Sequence, residues 1–245
     1  MKIIPEVVAL NVSPSLKMFD DRLLRYLSEH MTVAQWEYCQ NQDEPSDLKV
    51  ALMLLHDYLK FRDRPVHLVG HGIAGLLGLL YARRHPERIR SLTLLAVGAN
   101  PVADWQARYY AQRNLLPCSR YVILSQMVYH LFGRQERKMV NYLVRILERD
   151  LDSSPSPHSL FKIVSLPPAE APVPLLVCAS KNDSIVCTKE IEGWQRYLKP
   201  SDRLWFCDRG GHFFHYFEPK PVGDRILNFW QSLNSQSQYL LPVSL

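Results

Sequence analysis

No stretch of this chain approaches the ~18–20 consecutive apolar residues that crossing a bilayer requires. Residues 1–12 carry neither a basic leader nor a small-residue cleavage site before running into a strand-like segment. These absences argue against a membrane span and a secretory signal. Cysteine is scarce and unpaired in pattern: Cys39, Cys118, Cys178, Cys187 and Cys207 are an odd set without a C-x-x-C. A disulfide framework or zinc site is therefore not expected, and a reducing compartment such as the cytoplasm is. None of the nine histidines stands at metal-ligand spacing with Cys or Asp, so no metal is expected. A strong charge of one sign is also missing. Lys and Arg number 29 against 24 Asp and Glu, a formal excess of +5. It reads as separated pairs, such as Arg83-Arg84 and Arg137-Lys138, on a solvated surface. No nucleic-acid partner is expected.

What is present is a 245-residue chain, 47% hydrophobic, long enough for one large α/β domain. Short apolar runs at residues 6–10, 32–39, 66–69, 90–97, 174–179 and 203–207 read as strands. Helical spacing fills residues 20–28, 48–60, 76–85, 188–197 and 221–233, with Ser46-Asp47 as a candidate N-cap for the second of these. Strands alternating with helices imply a parallel sheet built from crossovers. Residues 70–75 read as a tight turn. The rhythm breaks at residues 100–166, where three helices are expected near 103–114, 120–132 and 135–150. Most aromatics there (Trp105, Tyr109, Tyr110, Tyr121, Tyr129, Phe132) are expected to pack on the core, with some at a pocket mouth or partner surface.

Three segments together resemble the α/β-hydrolase superfamily across nearly the whole chain. VHLVGHGIAG, followed by a helix and HPERIRSLTLL, is similar to that family's nucleophile elbow and next strand. PLLVCASKNDSIV is similar to the turn delivering the acid, which falls on Asp183. DRGGHFFHYFEP is similar to the loop delivering the histidine, which falls on His212. The order elbow, acid, histidine is the one the fold requires. The resemblance implies a mostly parallel central sheet flanked by helices, a core of residues 1–99 and 170–245, and a helical cap or lid over residues 100–169.

The elbow pattern is G-x-S-x-G, and here it reads Gly70, His71, Gly72, Ile73, Ala74. Glycine at the serine position cannot form an acyl-enzyme, and it suits a bend that strains other residues. Where the family has His-Gly after its first strand, this chain has Asn11-Val12. A lone Ser-to-Gly change would explain Gly72 but neither that substitution nor Ala74. Asp183 and His212 are thus expected as remnants of a triad, beside a pocket of Asn11, Val12, Ser13, Gly72, Ile73 and Phe213. His71 is expected to be structural, His67 a core or sheet-face residue, and His215 a rim or surface residue.

Family members that serve as hormone receptors, or that lack the nucleophile as the N-myc downstream-regulated group does, imply a pseudo-hydrolase. Such a protein would act by binding a small apolar ligand or a protein partner, without a cofactor. Two alternatives remain open: a lyase or cofactor-free oxygenase using the His212/Asp183 dyad, and a hydrolase with a displaced nucleophile such as Ser13.

Overall fold

A computed structural model describes residues 5–41, 47–100, 103–159 and 167–238. Strand β1 (Val7–Asn11) opens the chain, and β2 (Val33–Glu37) follows helix α1 (Asp21–Ser28). Helix α2 (Lys49–Leu59) leads into β3 (Val66–His71), and α3 (Gly72–Arg84) into β4 (Ile89–Leu95). All five strand pairings are parallel, in the order β2-β1-β3-β4-β5-β6, with β5 (Leu175–Ser180) and β6 (Arg203–Cys207) completing the sheet. A parallel sheet covered on both faces needs continuous apolar strands. Accordingly all six residues of β5 are buried, and Cys178 and Cys207 lie in these strands as small hydrophobes.

Alternation along the strands divides two cores. Leu68, Leu94, Leu175, Val177 and Ala179 face α2, α3 and the inserted helices. Val69, Leu95, Leu176 and Cys178 face the other layer with Leu23 and Leu27 of α1 and Val222, Ile226 and Trp230 of α9 (Pro219–Gln238). His67, placed in the sheet by sequence, is indeed buried: it bonds Ser91 at 2.7 Å and stacks on Trp230.

From β1 the chain crosses to β2 on one side and then returns to β3 on the other. Such a reversal opens a crevice beyond the carboxyl ends of the two central strands, where open α/β sheets bind ligands. Asn11 ends β1 and His71 ends β3, so both open onto it.

Helices α4 (Trp105–Leu115), α5 (Arg120–Phe132) and α6 (Arg137–Ser153) are inserted between β4 and β5. Their starts follow capping chemistry: Asp104 accepts from the Ala107 backbone at 2.7 Å, and Ser119 from Val122. Gly133, at φ +72°, ends α5. Trp105, Tyr109 and Phe132 pack inward as expected, whereas Tyr121 and Tyr129 are exposed.

Three local expectations need correction. The tight turn expected over residues 70–75 shrinks to a sharp bend at Gly72, because β3 runs to His71 and α3 begins at the next residue. The expected helix 188–197 divides into α7 (Thr188–Glu192) and a 3-10 turn, Gly193–Arg196, anchored by Trp194 donating to the Val97 carbonyl. A short helix α8 (Phe214–Phe217) precedes α9 and was not anticipated. Ser46 and the apolar stretch Tyr239 to Pro242 lie outside the described residues. Asp47 alone accepts from the Lys49 backbone at 2.8 Å. No helix among the described residues is long and apolar enough to cross a membrane.

Candidate functional site

The parallel sheet brings the exits of β1, β3, β5 and β6 to one edge, and their loops form the site. After β5, the Asp183 carboxylate folds back on its own turn, with Oδ1 accepting from the Ile185 and Val186 backbones at 2.7 and 3.2 Å. Oδ2 is thereby left facing His212, whose Nδ1 donates to it at 2.9 Å, with both side chains buried. The two loops are tied a second time. Asn182 Oδ1 accepts from Gly211 at 2.9 Å and from the Ser180 hydroxyl at 2.7 Å. Gly210 and Gly211 adopt φ +104° and +60°, and a Cβ on Gly210 would lie 2.6 Å from the Phe214 Cα. Only glycine permits that approach. In the neutral imidazole, donation from Nδ1 to Asp183 leaves Nε2 as the acceptor.

At the elbow, Gly72 sits at φ +51°, in the left-handed region, one residue after extended His71. A Cβ built there meets nothing within 4 Å. The backbone, and not crowding, is what favours glycine at the bend. The other close approach had not been anticipated in full. A Cβ on Gly70 would fall 2.6 Å from the Gly75 nitrogen, and one on Gly75 would fall 2.7 Å from the Gly70 carbonyl oxygen. Gly75 therefore performs the packing that the motif assigns to position 74, which explains why Ala74 is tolerated.

His71 donates through Nε2 to the His212 carbonyl at 3.0 Å. Burial, reinforced by His215 and His212 nearby, holds its pKa well below the usual imidazole range, so it stays neutral. His215 is not the surface residue anticipated. It is fully buried and donates to Asp20 Oδ1 at 3.0 Å. Asp20 Oδ2 accepts from Asn11 at 3.1 Å, and Asn11 Oδ1 from the Ser13 backbone at 3.0 Å. This chain fixes the β1 exit against the histidine loop and presses Val12, fully buried, into the site. Proximity in space alone created it, since His215 and Asp20 are 195 positions apart.

The site encloses about 30 Å³, lined by Asn11, Val12, Ser13, Leu16, Asp20, His71, Gly72, Ile73, Ala74, Asp104, Trp105, His212 and Phe213. All six residues expected in the pocket thus share one cavity with His212. Asp183 stands behind the histidine. Since a water needs about 10–15 Å³ of such space, roughly two fit. Ser13 contributes a hydroxyl to the lining, near the Asp150 carboxylate, whose pKa it helps to lower.

Sequence reasoning missed the polar group beneath the inserted helices. Asp104 caps α4 with one carboxylate oxygen, while Oδ2 is buried without a hydrogen-bond partner among the described residues. Burial raises its pKa, against the opposing influence of His158 and His212. Asp150 accepts from Ser154 at 2.6 Å and from Gln106 at 3.2 Å. Burial pushes its pKa up to about 6 even so. The one legible signal was Asp104 standing where an N-cap belongs. The pairing with residues 44 positions away had none.

The Asp150 shift has a testable sign. Its folded pKa lies above the ~3.9 of an unfolded Asp, so ionised Asp150 weakens the fold above pH 6. This penalty fades as pH falls from 6 towards 4. Asp150→Asn should therefore be more stable than the wild type at pH 8, by about 1–2 kcal/mol once weakened hydrogen bonds are counted. The advantage should vanish by about pH 4. Urea melts at both pH values measure it, and an equal difference at both would contradict the assignment.

A sequence model described as the alpha/beta hydrolase family matches residues 21–225. An uncharacterized protein of Nostoc sp. (strain PCC 7120) is 47% identical over 92% of this chain and 90% of its own length. One from Synechocystis sp. (strain PCC 6803) is 46% identical over 94% and 92%. Among solved structures, a membrane phospholipase A superposes with a TM-score of 0.71 at 17% identity, covering 96% of this chain and 81% of that one. A thermophilic esterase gives 0.70 at 15%, covering 94% and 91%. At such identities the structural likeness speaks for the fold alone.

Proposed function

The chain belongs to the alpha/beta hydrolase family, and from that premise we propose that it is a member without serine-hydrolase chemistry, a scaffold retained for binding. Residues 1–99 and 170–245 are its core, and residues 100–169 its cap. The observation that carries this reading is Gly72. The bend into α3 puts it in the cavity with His212, and it offers no side-chain oxygen. Among the described residues, the one hydroxyl that lines the cavity is that of Ser13, which lies near the Asp150 carboxylate. The Asp183–His212 pair then serves to close two loops. A cavity of about 30 Å³ is far below the ~300–1,000 Å³ of ligand pockets. Of the two binding roles, this favours a partner at the surface over a small apolar ligand within.

Loss of the nucleophile from a cooperating triad costs on the order of 10⁶ in turnover. Purified protein should therefore hydrolyse 4-nitrophenyl acetate no faster than the His212→Ala variant does. A wild-type rate ~10-fold or more above that of the variant would defeat the reading.

One observation favours a second reading. His212 and an Asp104 carboxylate oxygen that has no hydrogen-bond partner among the described residues belong to one cavity with room for water. They could form a general acid/base pair acting without a covalent intermediate. Under that reading, His212→Ala and Asp104→Asn would both abolish a turnover that fluorophosphonates do not inhibit.

A further inference from the structure

We infer that the outer face of α4–α6 docks onto an anionic lipid surface. The inference names a partner for the binding role proposed above, yet it rests on different residues. The failure of either can therefore be told apart from the failure of the other.

The first observation is where the charge sits. Residues 113–149 contain seven Lys and Arg against two Glu, leaving 22 basic and 22 acidic residues elsewhere. The whole formal excess of +5 thus lies on 37 residues of the inserted helices, and the dispersed surface expected from sequence is corrected. Arg120 meets Glu148 and Asp152. Arg134, Arg137, Lys138, Arg145 and Arg149 make no carboxylate ion pair among the described residues. All five are exposed.

The second observation is what lies between these charges. Leu115, at the α4–α5 turn, is 80% exposed, and Tyr129 is 55% exposed. Val122 and Tyr129, one stripe of α5 at i and i+7, stand outward with Tyr121. Lys138, Tyr142, Arg145 and Arg149 form the outward stripe of α6. Tyr121 donates to Asn141 at 2.6 Å, so the two stripes adjoin. Single exposed apolar residues are ordinary. A stripe of tyrosine and aliphatic residues bordered by unpaired cations is the pattern of helices lying in the headgroup region. A nucleic acid would be served by the cations and tyrosines, but Leu115, Val122 and Met139 have no base to stack on. The acyl boundary of a bilayer uses both kinds of residue.

Vesicle sedimentation of the full chain tests the inference, comparing phosphatidylcholine alone with vesicles containing about one quarter phosphatidylglycerol. The protein should bind only the anionic vesicles, and less as salt rises. Each Lys or Arg near such a surface is worth about fivefold in affinity. Arg137→Gln/Lys138→Gln/Arg145→Gln should therefore bind about 100-fold more weakly, with an unchanged circular dichroism spectrum. Leu115→Asn/Val122→Asn should weaken attachment at every salt concentration. No attachment to anionic vesicles, or equal attachment by the charge variant, would overturn the inference. So would attachment that ignores the Leu115/Val122 change and yields to a single-stranded oligonucleotide, which would make the face a general polyanion site.

Discussion

Gly72→Ser should turn a protein that does not react with a fluorophosphonate probe into one that does. The added Cβ meets nothing within 4 Å, so the hydroxyl enters the cavity that His212 lines. His212 is already oriented by Asp183 at 2.9 Å, the arrangement in which the neutral imidazole offers Nε2 as a base. The gain is bounded from two sides. A serine at φ +51° costs about 1–3 kcal/mol of stability. Val12, buried at the β1 exit, stands where the resembling family has glycine, and the loss of one oxyanion donor there would cost about 10²–10³ in turnover. Of the ~10⁶ that a nucleophile supplies, an increase of about 10³–10⁴ in ester hydrolysis is therefore expected. Intact-mass spectrometry after labelling, together with a 4-nitrophenyl ester assay, measures both. If the serine variant neither labels nor hydrolyses while remaining folded, the elbow does not present position 72 to His212.

The second large effect concerns stability at the same bend. Gly70→Val should cost at least about 3 kcal/mol, because its Cβ would stand 2.6–2.7 Å from backbone atoms of Ala74 and Gly75. Backbone in a helix start cannot turn aside as a flexible side chain can. At roughly 2–4 °C per kcal/mol for a chain of this size, the melting temperature should fall by 6–12 °C or more. Gly78→Ala, seven residues into α3, provides the contrast. Its Cβ meets only the Leu10 and Leu92 methyl ends at 3.1 Å, while the helix gains about 1 kcal/mol of propensity. The two should differ by several kcal/mol in thermal or urea melts, and similar losses would contradict the close-packing role of Gly70 and Gly75.

These two glycines also show how far the sequence could be read. The elbow segment Gly70 to Ala74 announced a sharp strand-to-helix bend, and the bend is there at Gly72. That the strand and helix meet without a loop, and that Gly75 replaces the absent glycine at 74, follows only from three-dimensional approach. The centre of the sheet was legible because its inner strands are buried on both faces, which forces unbroken apolar runs such as residues 175–179. Asp183 and His212 were expected only from the resemblance of PLLVCASKNDSIV and DRGGHFFHYFEP to the family's acid and histidine loops; the structure brings the two side chains within 2.9 Å. His215 was misread: an imidazole flanked by aromatics gives no local sign that Asp20, 195 residues away, will bury it. Asp104 and Asp150 were missed for the same reason. The concentration of charge over residues 113–149 can be counted in the sequence, but which of those cations share a face depends on helical periodicity.

The central claim is that no nucleophile faces His212. Intact-mass spectrometry of the wild-type protein, incubated with excess fluorophosphonate and followed by peptide mapping, tests it most directly. The unmodified mass is the expected result. A stoichiometric adduct on any side chain of the cavity, Ser13 above all, would show that a reactive hydroxyl has been found where Gly72 provides none.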